Sequence, residues 1–343
     1  MKKEATIEVN NIDRVSPDGT CNIEQGSTSS TITISATDNS GISKYVYNGN
    51  DYNNDVITVN GAINSANIII YDKVSNSKSI SCTVTPKVYI NNITKDGVII
   101  TVNAKKVNSS IKGYYFSYNS TRPNKNTGGY LETGNSSVSV VRLPGTTYVW
   151  VEDTSGKISS YKTVTISNNA LLMTKNSKYK LLQNKRLDTF LKEKGWSISE
   201  LNKLINRSAR AAGLYTKTAA ATSAIALQTV LAQKYNIRLP YWWGGKSWSF
   251  GADSEWGEYR YKINDNTGRE YLYDGLDCSG FTTWAYVNAG YDIGSVTNKY
   301  GVYFDAWWKQ RIDFDEGEIG DFLVYNDNRN NRHVKLIVGK TST

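Results

Sequence analysis

"GLDCSGFTTWAYVNAG" (275–290) places a cysteine in the first turn of a helix. Phe281, Ala285 and Ala289 follow at i, i+4 and i+8, which gives one apolar helical face. Cys278 stands where backbone N–H groups are unpaired and the positive end of the helix dipole favours a thiolate. The thiolate is the nucleophilic form of cysteine. A small buried core residue is the other reading, because free cysteine is often fully buried. This stretch alone does not choose between them.

Downstream lies the one histidine of the 343 residues, His333. It begins an apolar strand candidate, "HVKLIVG" (333–339), which follows another, "GDFLVYND" (320–327). A cysteine nucleophile needs a base that takes its proton and hands it to the leaving group, and histidine is suited to both. A lone histidine at a strand start is more often structural; its pairing with a cysteine at a helix start points to catalysis. One cysteine and one histidine, with no second histidine or CxxC, leave too few ligands for a zinc-type site, so no metal is expected. A helix bearing the nucleophile and then antiparallel strands predict an α+β domain.

Upstream, "LPYWWGG" (239–245) opens a stretch rich in aromatics and glycine. Trp248, Phe250, Trp256, Tyr259, Tyr261, Tyr271 and Tyr273 could wall a substrate cleft or simply pack an inserted loop. Before it come helices. "SISELNKLINRSARAAG" (197–213) begins with Ser197 and has Glu200 three residues on, the capping-box signature, with Gly213 as its stop. A further helix runs from about Thr216 to Tyr235 and is dense in alanine and leucine, as deeply packed helices are.

The first 168 residues read differently. "TITISATD" (31–38), "KYVYNG" (44–49), "ANIIIYD" (66–72) and "SISCTVT" (79–85) alternate as strands between Asn/Gly/Ser turns. A second set runs from "GVIITVNA" (97–104) to "YKTVTIS" (161–167), and "ISKYVYNGN" echoes "IKGYYFSYN". The two sets predict tandem β-sandwiches and are similar to the immunoglobulin-like modules of bacterial surface proteins. Such a fold assigns no activity by itself.

In order and spacing, "LPYWWGG", "GLDCSGF", "GDFLVY" and "RHVKLIVG" resemble the NlpC family of papain-like cell-wall cysteine peptidases, over about residues 186–343. The family's motifs typically read PYxWGG, DCSGF, GD followed by apolar residues, and HVxIxxG. The resemblance implies Cys278 as nucleophile and His333 as general base and acid. It implies that Tyr241 lines the active site and that Asp277 and Ser279 contact the substrate peptide. The implied reaction is hydrolysis of peptidoglycan stem peptides, usually between D-γ-glutamyl and a diamino acid, without metal or cofactor. A third polar residue on the strand after the histidine belongs to the family pattern; here its position falls past Thr343.

The expected architecture is therefore two tandem all-β immunoglobulin-like sandwiches, residues 1–85 and 86–168, followed by an α+β papain-like cysteine peptidase domain. Residues 169–240 form its helical lead-in or linker, and residues 241–343 the peptidase domain itself. Cys21 and Cys82 both fall in the first sandwich. A disulfide between them fits an extracellular setting and leaves Cys278 free; two buried thiols are the alternative.

The net charge of +9 is unevenly spread. Residues 86–168 hold 10 basic and 4 acidic side chains and residues 169–240 hold 13 and 3, while both ends are mildly acidic. Such a stripe attracts anionic polymers or is a solvated lysine-rich surface. No nucleic-acid motif accompanies it, so nucleic acid is not an expected partner. No apolar run reaches the roughly 18–20 residues of a membrane span. The start, "MKKEATIEVNN", shows no apolar stretch of a secretory signal. The expected protein is a monomer, secreted or associated with the cell wall, with peptidoglycan and anionic wall polymers as partners. Two rival functions remain: a wall-binding or adhesive protein with an inactive peptidase-like domain, and an amidase of the CHAP type, against which DCSGF argues.

Overall fold

The computed structural model describes residues 13–26, 28–85, 87–171, 179–242, 244–245, 247–263, 270–293, 313, 315–326 and 332–339. The chain divides into two compact units, Met1–Lys87 with Lys106–Ser110, and Val88–Lys105 with Ile111–Thr343.

In the first unit, β1 (Asp18–Gln25), β2 (Ser29–Thr37), β3 (Ile42–Tyr47), β4 (Asn50–Tyr52), β5 (Val56–Asn60), β6 (Ser65–Asp72) and β7 (Ser77–Val84) form one sheet. Its order is β4-β3-β6-β7-β1-β2-β5. Ser30, Ile32 and Ile34 on β2, and Ala66, Ile68 and Ile70 on β6, are buried on alternate positions. Most of them share one core with Ile23, Ile57 and Cys82. β1 links the two halves of the order, pairing antiparallel with β2 and parallel with β7, and residues of both halves share the core. The parallel step sets Cys21 beside Cys82, and the two form a disulfide with Cα atoms 5.1 Å apart.

The second unit begins with β8 (Lys87–Asp96) and β9 (Ile99–Val107), whose outermost residues belong to the first unit, and continues with β10 (Ile111–Ser117), β11 (Tyr130–Glu132), β12 (Ser137–Val141), β13 (Gly145–Asp153) and β14 (Lys162–Ile166). These make two sheets, β11-β10-β13-β14 and β12-β9-β8. β15 (Lys180–Leu181) then pairs in parallel with β16 (Ile237–Arg238), on either side of the helices in sequence. The helices are α1 (Leu187–Glu193), α2 (Ile198–Ala212) and α3 (Lys217–Gln228), the last continuing as a π-helical turn over Thr229–Lys234. Ser197 and Glu200 make the reciprocal capping box at the start of α2, and Gly213 ends it at φ 95°.

α2 is bonded directly to the β12 end of the sandwich. The Val141 N–H donates to Ser208 Oγ at 2.8 Å, and the buried Arg142 donates from Nη1 to Ala211 O at 2.6 Å. A buried guanidinium is costly without compensation. Arg142 obtains it from the negative end of α2 and from the Tyr118 ring, 4.0 Å below.

The last part of the unit holds the hairpin β17 (Tyr259–Ile263) and β18 (Glu270–Tyr273), then α4 (Cys278–Asn288), then the hairpin β19 (Phe322–Asn326) and β20 (Arg332–Leu336). A single apolar face is the sequence expectation for α4. Instead nearly the whole helix is buried, including Thr282 and Thr283. Their hydroxyls donate back to carbonyls of the preceding turn, so neither needs water. Among the described residues no helix is long and apolar enough to cross a membrane.

Candidate active site

Asp277 builds the start of α4. Its backbone is extended, and its Oδ1 accepts from Gly280 N at 2.5 Å and from Ser279 Oγ at 2.8 Å. Its Oδ2 accepts from Gly244 N at 3.0 Å. One carboxylate therefore caps the helix and ties down the loop after Pro240. The tie continues through the backbone, where Asp277 N donates to Gly245 O at 3.0 Å and Tyr241 bridges Leu276 in parallel. This close approach explains the glycines of both motifs. A Cβ on Gly275 would collide with Pro240 O, and one on Gly245 with Gly275 O.

The clamp presents Tyr241 to Cys278. Cys278 is the first residue of α4, partly exposed, with a free thiol. Tyr241 is 54% exposed, and its hydroxyl donates a long hydrogen bond toward Cys278 Sγ at 3.9 Å. The same hydroxyl interacts with the Cys278 backbone N–H. Burial first, and the neighbouring thiol second, push the Tyr241 pKa well above its ordinary value, so it remains a donor at neutral pH.

His333 lies on β20 opposite Tyr325. It is partly buried, and burial followed by the nearby Lys335 lowers its pKa below the usual 6.5. Its imidazole is thus neutral at pH 7 and able to accept a proton. β20 packs against α4, with Leu336 against the buried cluster that includes Tyr286 and Val287, and the Tyr286 ring centre lies 5.0 Å from that of Phe322 on β19. The fold makes neighbours of the helix that opens with the free thiol and the strand that carries the histidine.

Substrate contact is the implied role of Asp277 and Ser279. Both are buried, at 8% and 6% exposure, and their side chains are given to each other and, through Asp277, to the loop. That geometry positions Cys278 and leaves little of either for a ligand. The sequence carried the signal for it, an aspartate immediately before the first helical residue.

The aromatic insertion divides between the two readings. Trp256 is buried against Trp284, ring centres 6.1 Å apart, and Trp284 Nε1 donates to Gly251 O at 2.6 Å. Trp248, Phe250 and Tyr259 are exposed, whereas the side chains of Tyr261 and Tyr271 lie outside the described residues. Tyr273 packs edge-on to Tyr259.

Among the described residues, Asp13, Asp38 and Asp72 of the first unit bring carboxylate oxygens within 4.8 Å of one another, as a metal site would. Asp72 Oδ1 accepts from the Val74 and Asn76 N–H groups, and Asp38 Oδ1 from that of Ser40, so turn formation accounts for two of the three.

Residues 238–343 match the NlpC/P60 family. The match contains Tyr241, Asp277, Cys278, Ser279 and His333, and it supports a cysteine-peptidase type of hydrolase in general. The strand-rich part is similar to fibronectin(III)-like modules of Clostridium thermocellum CbhA, with 11% identity over 46% of this chain and 97% of that one, at a TM-score of 0.23. A two-domain fibronectin type III segment of chicken tenascin gives 13% identity over 44% and 99%, at a TM-score of 0.20. Likeness this weak assigns neither set of strands to a family. No curated protein sequence matches the chain.

Proposed function

We propose that the NlpC/P60 region is a cysteine endopeptidase that hydrolyses stem-peptide bonds of peptidoglycan, in a protein that works outside the cell or in its wall. One observation carries this reading: the chain's free thiol opens a buried helix that packs on the strand holding its only histidine. The Cys278 thiolate attacks the scissile carbonyl, and the oxyanion forms beside the Cys278 N–H and the Tyr241 hydroxyl. His333 takes the thiol proton and delivers it to the leaving amine as the C–N bond breaks. Water, with its proton taken by His333, then releases the acyl group and restores the thiol. These steps need no cofactor. The preferred bond is the one between D-γ-glutamyl and the diamino acid.

The immunoglobulin-like strands and the basic residues between 86 and 240 hold the enzyme near its anionic substrate, through charges screened beyond about 8 Å at physiological salt. Mass spectrometry of muropeptides released from purified peptidoglycan tests the reading. Sugars that retain a dipeptide are expected; intact stems freed from the sugar would establish the amidase instead.

A further inference from the structure

We propose that the groove between the first half of α2 and the loop Ser247–Ala252 binds the amino sugar to which the scissile stem peptide is attached. The proposal rests on the wall-hydrolase reading and adds a glycan subsite to it.

The groove is an open surface depression of about 510 Å³ lined by, among others, Ile198, Lys203, Asn206, Arg207, Phe250 and Asn288. That is room for a sugar laid along the surface with one face in solvent. Phe250 offers a bare ring there, 68% exposed, with Trp248 two residues before it at 39%. The loop that holds Phe250 is fixed at its backbone. Ala252 N donates to Asn202 Oδ1 at 2.7 Å, and Gly251 N donates to Asn288 Oδ1 at 2.7 Å. Gly251 sits at φ +83°, and a Cβ there would meet Asn202 Cγ at 2.5 Å. Two helices therefore hold the backbone of the loop that carries the ring before any ligand arrives, which lowers the entropic cost of ordering the loop on binding.

Facing Phe250 on α2 are Lys203 and Arg207, one turn apart, with Asn206 between them. Neither cation forms an ion pair among the described residues. An apolar ring beside planar and cationic donors suits a pyranose. Its C–H face stacks on an aromatic ring, and its hydroxyl and acetamido oxygens accept from amide, guanidinium and ammonium groups.

Position supplies the link to catalysis. Gly245 is bonded to Asp277 at the first end of α4, and Gly251 to Asn288 at the last. The ten steps from Cys278 to Asn288 span about 15 Å at roughly 1.5 Å each. From a bond cut after the second stem residue, two extended residues and the lactyl link back to the sugar cover roughly 10–12 Å. A stem peptide seated at Cys278 thus has the length to carry its sugar most of the distance to the Asn288 end of α4, where the loop of Phe250 is bonded.

The test uses the full chain with Cys278→Ala, so that ligands are not consumed, and isothermal titration with three probes. These are the free stem tripeptide, the same tripeptide on its disaccharide, and the disaccharide alone. The disaccharide should tighten binding of the tripeptide at least tenfold. Phe250→Ala and Arg207→Gln should each bring that ratio close to one, and the disaccharide alone should bind and lose its binding in the same variants. Equal affinity for tripeptide with and without sugar overturns the proposal, as does a ratio that Phe250→Ala does not change. A groove that instead takes a phosphate polymer, seen as teichoic-acid binding lost in Arg207→Gln while the sugar ratio stays at one, also overturns it. Cleavage of free stem peptide by the unmodified enzyme alongside an absent sugar effect removes the subsite and keeps the hydrolase. Disaccharide binding that depends on Phe250, in a protein that cleaves no stem, does the reverse.

Discussion

Asp277→Ala should release the loop that carries Tyr241 from the start of α4. The buried carboxylate accepts three hydrogen bonds, from Gly280 N, Ser279 Oγ and Gly244 N. Loss of the cap costs about 1 kcal/mol. The Ser279 hydroxyl and the Gly244 N–H each lose a charged acceptor, at about 1 kcal/mol apiece after relaxation. The sum of about 3 kcal/mol lowers the melting temperature by roughly 6–12 °C for a unit of this size. Asp277→Asn keeps an oxygen for the cap but turns an NH₂ toward the Gly244 N–H. It should recover about 1 kcal/mol of the loss and no more. Near-ultraviolet circular dichroism follows the melt, and alkylation of Cys278 by iodoacetamide reports the loop. With Tyr241 released from Sγ, alkylation should rise severalfold. A melt lowered by less than about 2 °C, with alkylation at the starting rate, would refute the clamp.

Two further outcomes come from the geometry. Removing the Cys21–Cys82 bond, with its 61-residue separation, should cost the first unit about 4 kcal/mol in the chain-entropy view; denaturant melts of the double serine variant, unchanged from the parent, would contradict this. His333 titrates below 6.5 because of burial and Lys335, so the acid limb of kcat/KM should lie below pH 6.5 and move upward in Lys335→Gln. The sign for stability is the same: the unfolded chain binds this proton at higher pH, so the contribution is full above 6.5 and is lost as pH falls through the folded value. An acid limb above pH 7 would exclude His333 as the base.

What the sequence made legible was local. The spacing of Ser197 and Glu200 specified the start of α2, and four short motifs located Cys278, His333 and Tyr241. The burial of α4 on all sides was hidden by Thr282 and Thr283, which read as polar yet satisfy their hydroxyls within the helix. The continuous sheet of the first unit depends on β1 meeting both β2 and β7, a pairing between segments some sixty residues apart that no local pattern encodes. Arg142 gave no sign of burial either, since its partners, Ala211 O and the Tyr118 ring, come from distant parts of the chain. Asp277 was legible as a residue of the site, but its task depends on the return of Gly244 to the helix start.

The central claim is that Cys278 and His333 perform one hydrolysis on the cell wall. Release of soluble muropeptides from purified peptidoglycan should be measured for the unmodified protein, Cys278→Ala and His333→Ala, each beside a thermal melt. The account predicts clearing by the unmodified protein and a fall of at least about a thousandfold in both variants, with melts within a few degrees of the parent. Near-parental release by either variant, in a folded protein, would contradict it.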